Sequence, residues 1–226
     1  MSNWQKFADS FLNARVAAEY LPKIVDGFVL TIQLAACIIL AGLAAGLALA
    51  VLRSLGLRPL NWLIIFTVDL FRALPPLVVI ALLYFGLPGL GIQLGGFAAA
   101  WLSLSLVLMA FSEEIFWAGI TAVPKGQWEA ARSTGLGFLQ TLGHVVLPQA
   151  LRMTIPPLTN RTIAITKGTA LASVVAVPEI LGAAQAGVSF SFNPTPLTLG
   201  ALAYLVLFIP VVILGRWIET RFAWKR

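Results

Sequence analysis

Apolar residues come along this chain in long blocks, not in alternation. Residues 27–52, 74–92, 96–119, 153–177 and 197–215 are each dominated by Leu, Ala, Val, Ile, Gly and Phe. A hydrocarbon layer about 30 Å thick takes about 20 residues of helix to cross, because each residue adds only about 1.5 Å. Blocks of that length predict five transmembrane helices and an all-α integral membrane protein. The fourth block is the least clean, since Arg161 and Lys167 lie inside it. Prolines 75, 76, 156 and 157 predict helix starts or breaks, which membrane proteins accept where the freed backbone groups face protein or water. Residues 61–72 read as a semi-polar link. Residues 187–196 read as a turn.

Ahead of the first block, Phe7, Phe11, Leu12, Val16 and Tyr20 recur at helical spacing among mixed charges. That pattern predicts an amphipathic helix lying along the bilayer surface, within an external segment covering residues 1–23. The first block is long for the apolar core of a cleavable signal peptide, so no such signal is expected. No internal repeat is visible, and the chain reads as one transmembrane domain over residues 1–226. Gly42 and Gly46, spaced Gly-x-x-x-Gly in the first block, either allow a close helix–helix approach or reflect the general abundance of small residues in membrane helices.

Composition agrees with the blocks. Of 226 residues 59% are apolar and 11% charged, too little charge to cover a soluble domain of this size. The net charge of +6 does not point to nucleic acid, because the basic residues cluster at the ends of apolar blocks and not in an aromatic-interleaved patch. They suit membrane lipid instead. The single cysteine, Cys37, excludes an intrachain disulfide, and the single histidine, His144, argues against a histidine-rich metal site.

Arg and Lys also set an expected orientation. One set of loops and ends holds Arg53, Arg58, Arg72, Lys125, Arg132, Arg152, Arg216, Arg221, Lys225 and Arg226. The opposite set holds only Lys6, Arg15 and Lys23. By the positive-inside rule the N-terminus lies outside, the C-terminus is cytoplasmic, and so is the loop over residues 120–152.

That loop is the longest polar-rich stretch of the chain. Pro124-Lys125-Gly126-Gln127 predicts a turn, and residues 128–134 predict two helical turns. Glu129 is expected near the positive end of that helix, where a carboxylate contributes roughly 0.3–1 kcal/mol. Ala130 and Ala131 present almost no side chain, and Gly135 is placed to end the helix in a left-handed residue. Phe138, Leu142, Val145 and Val146 then predict a second, amphipathic helix running into Leu147-Pro148. A short helix with a small-residue face suits docking into a groove on a cytoplasmic protein. A surface helix resting on lipid headgroups is the other reading of the same residues.

Glu129-Ala130-Ala131, Gly135 and then Val145-Val146-Leu147-Pro148 resemble the EAA signature of permease subunits of bacterial ABC importers. Gly27 and Thr31, Phe71-Arg72 with Pro75, Glu114-Ile115, Gly119-Ile120, Gly126-Gln127, Pro156-Pro157, Asn160, Lys167, Thr169, Leu171 and Pro178-Glu179 extend the likeness to the polar amino acid branch over roughly residues 20–220. Trp117 stands where that family has Arg, Glu113 where a small residue is common, and Gly168 where Asp or Asn follows the Lys. The resemblance implies five spans per subunit, with a coupling helix in the loop between spans three and four, in the inner membrane of a bacterium. It implies coupling to the ATPase through Gln127, Glu129, Ala130, Ala131, Gly135, Leu147 and Pro148. It further implies an ATP-binding cassette ATPase dimer, a second permease subunit, identical or homologous, and a periplasmic or surface solute-binding protein.

No Gly-x-x-x-x-Gly-Lys-Ser/Thr occurs in the chain, so ATP and Mg are expected on the partner ATPase and no cofactor on this subunit. A charge at the bilayer centre costs roughly 2.5–3.5 kcal/mol on insertion scales, so Arg161, Lys167, Glu179 and Glu114 are candidates for a polar solute path. The alternative is structural: Arg161 and Lys167 pair with Glu113, Glu114 or Glu179, or with backbone carbonyls near Pro156-Pro157. Glu113 and Glu114 are expected at a hydrated helix end. An ion-gradient-driven secondary transporter or channel is the competing class. It calls for inverted repeats or unwound half-helices, and no repeat is seen.

Overall fold

The structure, a computed structural model, describes residues 2–222. Lys225 and Arg226, counted above in the charge asymmetry, lie outside the described residues. The described chain is helical throughout: α1 Asn3–Phe11, α2 Ala14–Ser54, α3 Arg58–Ala73, α4 Pro76–Ala81, α5 Gly96–Ala122, α6 Lys125–Ser133, α7 Phe138–Thr141, α8 Leu147–Lys167, α9 Ile180–Ser191 and α10 Thr195–Phe222. Four helical stretches are long and apolar enough to cross a membrane. They become five if Arg58–Ala73 and Pro76–Leu90, bent at Leu74-Pro75, are taken as one broken span.

Several elements differ from the pattern reading. Residues 58–73 form a helix, not a link: Ile64 and Val68 are buried one turn apart while Asp69 and Arg72 stay on the outer side. The turn expected over residues 187–196 is helical as far as Ser191, the end of α9, which starts at Ile180 under the cap of Glu179. Pro76 does start a helix. Pro156 and Pro157 do not break one, and α8 runs through both. Proline is tolerated inside a span when neighbouring groups re-satisfy the backbone. Pro22 and Pro210 behave in the same way inside α2 and α10. The fourth block is not one helix to residue 177. After Lys167 the chain tightens to 3-10 geometry over Gly168–Val175, supported by Thr169 donating to the Thr166 carbonyl (2.7 Å) and Ser173 to that of Ala170 (2.8 Å).

Two π-helical turns, Leu82–Gly86 and Leu142–Val146, are each followed directly by Leu-Pro: Leu87-Pro88 and Leu147-Pro148. A proline ring clashes with the carbonyl four residues back, and a widened turn relieves that clash.

The helices fall into two packing units. The first comprises Met1–Ile38, Pro76–Leu104 and Thr166–Ile213. Its centre is the approach of α2 to the start of α9. A Cβ on Gly27 would sit 3.0 Å from the Glu179 carbonyl, so a side chain there would push the two backbones apart by a few tenths of an ångström. One turn on, Thr31 donates to the Gly27 carbonyl (2.8 Å) and accepts from the Ile180 amide (3.2 Å). Ile24, Ala183 and Ala184 bury their side chains around this contact. α1 buries none of its residues. Its aromatic side chains stack in a row, Trp4 on Phe7 and Phe7 on Phe11. The Asp9 and Ser10 carbonyls accept from Asn193 and Thr195, tying its end to the start of α10.

The second unit comprises Ile39–Pro75, Ser105–Ile165 and Leu214–Arg226. Here α2 meets α5 through Gly42 and Gly46. A side chain on Gly42 would enter Leu108, and one on Gly46 would enter Ser112 and the backbone at Met109 and Glu113. The Ser112 hydroxyl donates to the Gly42 carbonyl at 3.1 Å. The Gly-x-x-x-Gly pair is therefore a packing device in this fold. Ala50, Phe116, Ile120, Val123, Leu142, Val146, Ala150 and Leu158 form the main core of this unit. Large apolar side chains such as Leu40, Trp62, Phe66, Phe85, Val206 and Ile213 are exposed, as expected of a lipid-facing exterior.

Candidate functional site

The polar loop of the sequence becomes a helical hairpin in the second unit. α6 begins after Pro124, whose fixed backbone geometry suits a helix start. It begins three residues earlier than the pattern predicts, at Lys125. Glu129 consequently stands in the second turn and not at the positive end, so the expected dipole contribution is small. The helix ends where expected. Gly135 has φ +92° and its amide donates to the Arg132 carbonyl at 3.0 Å, while the Thr134 hydroxyl donates to that of Ala131 at 2.7 Å.

Three contacts seat α6 on the following helical segment. The Trp128 and Phe138 rings stack with centroids 5.6 Å apart. Ala131 is buried, and Gln127 accepts from the Gln149 side chain at 3.5 Å. α7 opens with the Gly137 amide donating to the Gln140 side chain (2.9 Å). Leu142 and Val146 then enter the core as their spacing predicted. Of the two alanines, Ala131 packs inward and Ala130 faces out. The outward surface of the hairpin therefore carries Gln127, Glu129, Ala130, Arg132, Gly135, His144 and Pro148. Leu147 is half-buried behind them. His144 Nδ1 lies 3.0 Å from the Gln140 carbonyl. A cavity of about 350 Å³ opens beside α6, between Trp117, Lys125, Trp128 and Phe138.

The two adjacent carboxylates of α5, Glu113 and Glu114, have arginine partners that sequence spacing did not reveal. Glu113 is not at a hydrated end. It is fully buried and bound by Arg53 of α2, whose Nη1 reaches both carboxylate oxygens at 3.1 and 3.2 Å. The same guanidinium lies 4.6 Å from the Trp117 ring centroid, so Glu113 and Trp117, one turn apart on α5, clamp Arg53 between them. Glu114 is half-exposed and accepts from Arg72 at 2.9 Å. Arg161 forms no ion pair among the described residues. Its guanidinium stacks 3.0 Å from the Phe111 ring centroid, and its Nε is buried without a hydrogen-bond partner. Glu114 and Arg161 thus both belong to the surroundings of Phe111 in the second unit.

Lys167 and Glu179 belong to the first unit. Lys167 is exposed, with Nζ 5.9 Å from the Phe208 ring centroid. Glu179 is fully buried and both its oxygens are engaged. Oε1 accepts from the Gly182 amide at 2.8 Å and Oε2 from the Tyr204 hydroxyl at 2.7 Å. It is the N-cap of α9, a structural position, not an open lining residue. Tyr204 gave no sequence signal beyond being a polar aromatic inside an apolar block.

The chain belongs to the family of binding-protein-dependent transport system inner membrane components, whose model matches residues 38–224. It is 37% identical over 212 residues to the probable glutamine ABC transporter permease protein GlnM of Bacillus subtilis (strain 168), covering 93% of this chain and 98% of that protein. It is 32% identical to the arginine transport system permease protein ArtQ of the same organism, covering 89% and 93% of the two chains. The crystal structure of an amino acid ABC transporter with histidines superposes with a TM-score of 0.81 at 29% identity, over 90% of this chain and 96% of that one. The inward-facing MetNI methionine ABC transporter, at 19% identity and a TM-score of 0.67, shares the fold. The protein is accordingly a multi-pass membrane permease subunit of an ABC importer. It is a transport component, and ATP hydrolysis belongs to a separate subunit. Nothing in the fold or the relatives favours an ion-gradient-driven transporter or channel.

Proposed function

We propose that this chain forms half of the translocation path of an ATP-driven importer for a polar amino acid or amino-acid-like solute. Its relatives carry glutamine and arginine in their names, which supports that solute class. A second permease chain, identical or homologous, supplies the other half. Five spans cross the bacterial inner membrane, with α3 and the segment after Pro75 counted as one. The N-terminus lies outside with residues 1–23 on the outer surface, the C-terminus is cytoplasmic, and residues 120–152 face the cytoplasm.

In this reading α6 is the coupling helix. It enters a cleft of the ATPase, with Gln127, Glu129, Ala130, Ala131 and Gly135 at or directly behind the contact and Leu147-Pro148 supporting it. ATP and Mg bind the ATPase dimer. Its closure pushes on α6, and the spans rock from inward-open to outward-open, where a solute-binding protein delivers its load. The observation that carries this reading is the seating of α6. The Trp128–Phe138 stack, buried Ala131 and the Gln127–Gln149 contact make it rigid with the helical path into α8, so a push on α6 moves a span. Arg161, Lys167 and Glu114 line the solute path, and Glu179 shapes it by capping α9. Co-purification of the ATPase with the permease, measured with solute uptake after substitution at Gly135, tests the proposal.

A further inference from the structure

The cavity of about 350 Å³ beside α6 lies where two spans leave the apolar layer. On α2 it begins at Ser54, just past the apolar block 27–52, and on α5 it takes in the turns on either side of residue 119, where the third block ends. α6 and α7 close its other side, and all of these parts belong to the second unit. Lys125 and Trp128, three residues apart, share the face of α6 that lines it, while Gln127, Glu129 and Ala130 lie on the outward surface. An occupant therefore sits between α6 and the span ends, behind the surface assigned to the ATPase.

Two indoles wall this cavity, and each is already held by a neighbour. Trp117, which stands where the family has Arg, lies 4.6 Å from the Arg53 guanidinium, and Trp128 stacks on Phe138 at 5.6 Å. Ile120 and Val123 add apolar lining. The polar groups are few. Lys125 is exposed and forms no ion pair among the described residues. The Ser54 and Thr121 hydroxyls donate to carbonyls of their own helices, Val51 at 2.6 Å and Trp117 at 3.0 Å, and keep lone pairs for an incoming donor. Tryptophan at a membrane boundary places an apolar body beside a wet rim, and a lysine there attracts the phosphate of anionic lipid.

We propose that this cavity binds one anionic phospholipid from the leaflet on the α6 side. Its phosphate meets Lys125, the hydroxyls of a glycerol headgroup donate to Ser54 and Thr121, and the first part of an acyl chain lies against Trp117 and Trp128. Aromatic and aliphatic walls suit the chain, and a single cation with two acceptors suits a phosphodiester that carries hydroxyls. A lipid in this place touches α5, α6 and α7 together. The inference needs the membrane placement of the family but not the coupling role of α6, and its test is read without uptake.

The test is native mass spectrometry of the detergent-purified permease–ATPase complex, titrated with phosphatidylglycerol or with phosphatidylcholine of the same acyl chains. The wild-type complex should retain phosphatidylglycerol severalfold more tightly. Lys125→Gln should weaken that binding about fivefold, the weight of one basic residue at an anionic surface. Thr121→Trp, which fills the cavity and keeps every charge, should remove the preference. Arg58→Gln, which removes an exposed cation outside the cavity, should bind as wild type does. Free sn-glycerol 1-phosphate should not displace the lipid, because the walls hold the chain. Equal retention of the two lipids by the wild-type complex overturns the site whether or not the variants assemble. A preference untouched by Lys125→Gln and Thr121→Trp places the lipid elsewhere and overturns it too. Equal weakening by Arg58→Gln and Lys125→Gln overturns it in favour of diffuse attraction to a basic surface, and displacement by glycerol phosphate overturns it in favour of a soluble phosphoester.

Discussion

Arg53 and Glu113 stand sixty positions apart in the chain and meet at 3.1 Å, where the carboxylate is fully buried and the guanidinium lies against Trp117. Removing one partner of a buried pair leaves an uncompensated charge and costs about 3–5 kcal/mol, whereas replacing both by apolar groups of similar volume is often near neutral. Glu113→Ala should therefore lower the thermal stability of the detergent-solubilised protein strongly. The double substitution Arg53→Met with Glu113→Leu should recover most of the loss. Equal stability of the single and double variants would show that the pair carries no energetic weight.

A second prediction concerns the α2–α5 contact. Gly46 faces Ser112 and the α5 backbone with no room for a methyl group, while a Cβ on Gly126 meets nothing within 4 Å. Gly46→Ala should cost roughly 1–3 kcal/mol by overpacking, and Gly46→Leu should prevent a folded protein. Gly126→Ala should leave the unfolding temperature close to wild type. Thermal unfolding of the three variants checks the contrast, and an unaltered Gly46→Leu would refute the close approach.

These two cases mark what the sequence made visible. The Gly42–Gly46 spacing suggested close packing, and the structure supplies the partner, Leu108 and Ser112. The left-handed end at Gly135 and the inward face of Leu142 and Val146 were legible because they are local. The clamp on Arg53 was not, since nothing in a single sequence links residues sixty apart. α3 is not legible as a span because its sixteen residues carry only an apolar stripe through Ile64 and Val68, not a continuous apolar block. α9 is not visible in the pattern, which leaves residues 178–186 without an element and places a turn over 187–196. Its start signal, Glu179 ahead of Ile180-Leu181-Gly182, is a cap that is clear only once the helix is known. The likeness to ABC importer permeases rested on fixed spacings, and the family match covers residues 38–224.

The proposed orientation rests on the charge asymmetry and is open to chemical labelling. With Cys37→Ser as background, a cysteine replacing Phe192, which is 92% exposed, should react with a membrane-impermeant maleimide added to intact spheroplasts. A cysteine replacing Ser133 on α6 should react only after the membrane is opened. The reverse pattern would invert the topology read from Arg and Lys.

The central claim is that α6 transmits the movement of an ATPase, and Gly135→Asp tests it most directly. Gly135 holds φ +92° with open space around its Cβ position. Asp tolerates left-handed backbone better than most residues, so the substitution acts chiefly by adding a charge to the outward surface of the hairpin. An unpaired charge in a desolvated contact commonly costs a few kcal/mol. Glu129→Ala, which removes one exposed carboxylate in mid-helix, should weaken uptake less. The measurement is uptake of labelled solute together with co-purification of the ATPase. The account predicts that Gly135→Asp inserts normally into the membrane, loses the ATPase and takes up no solute. Wild-type uptake by Gly135→Asp, with the ATPase still bound, would contradict it.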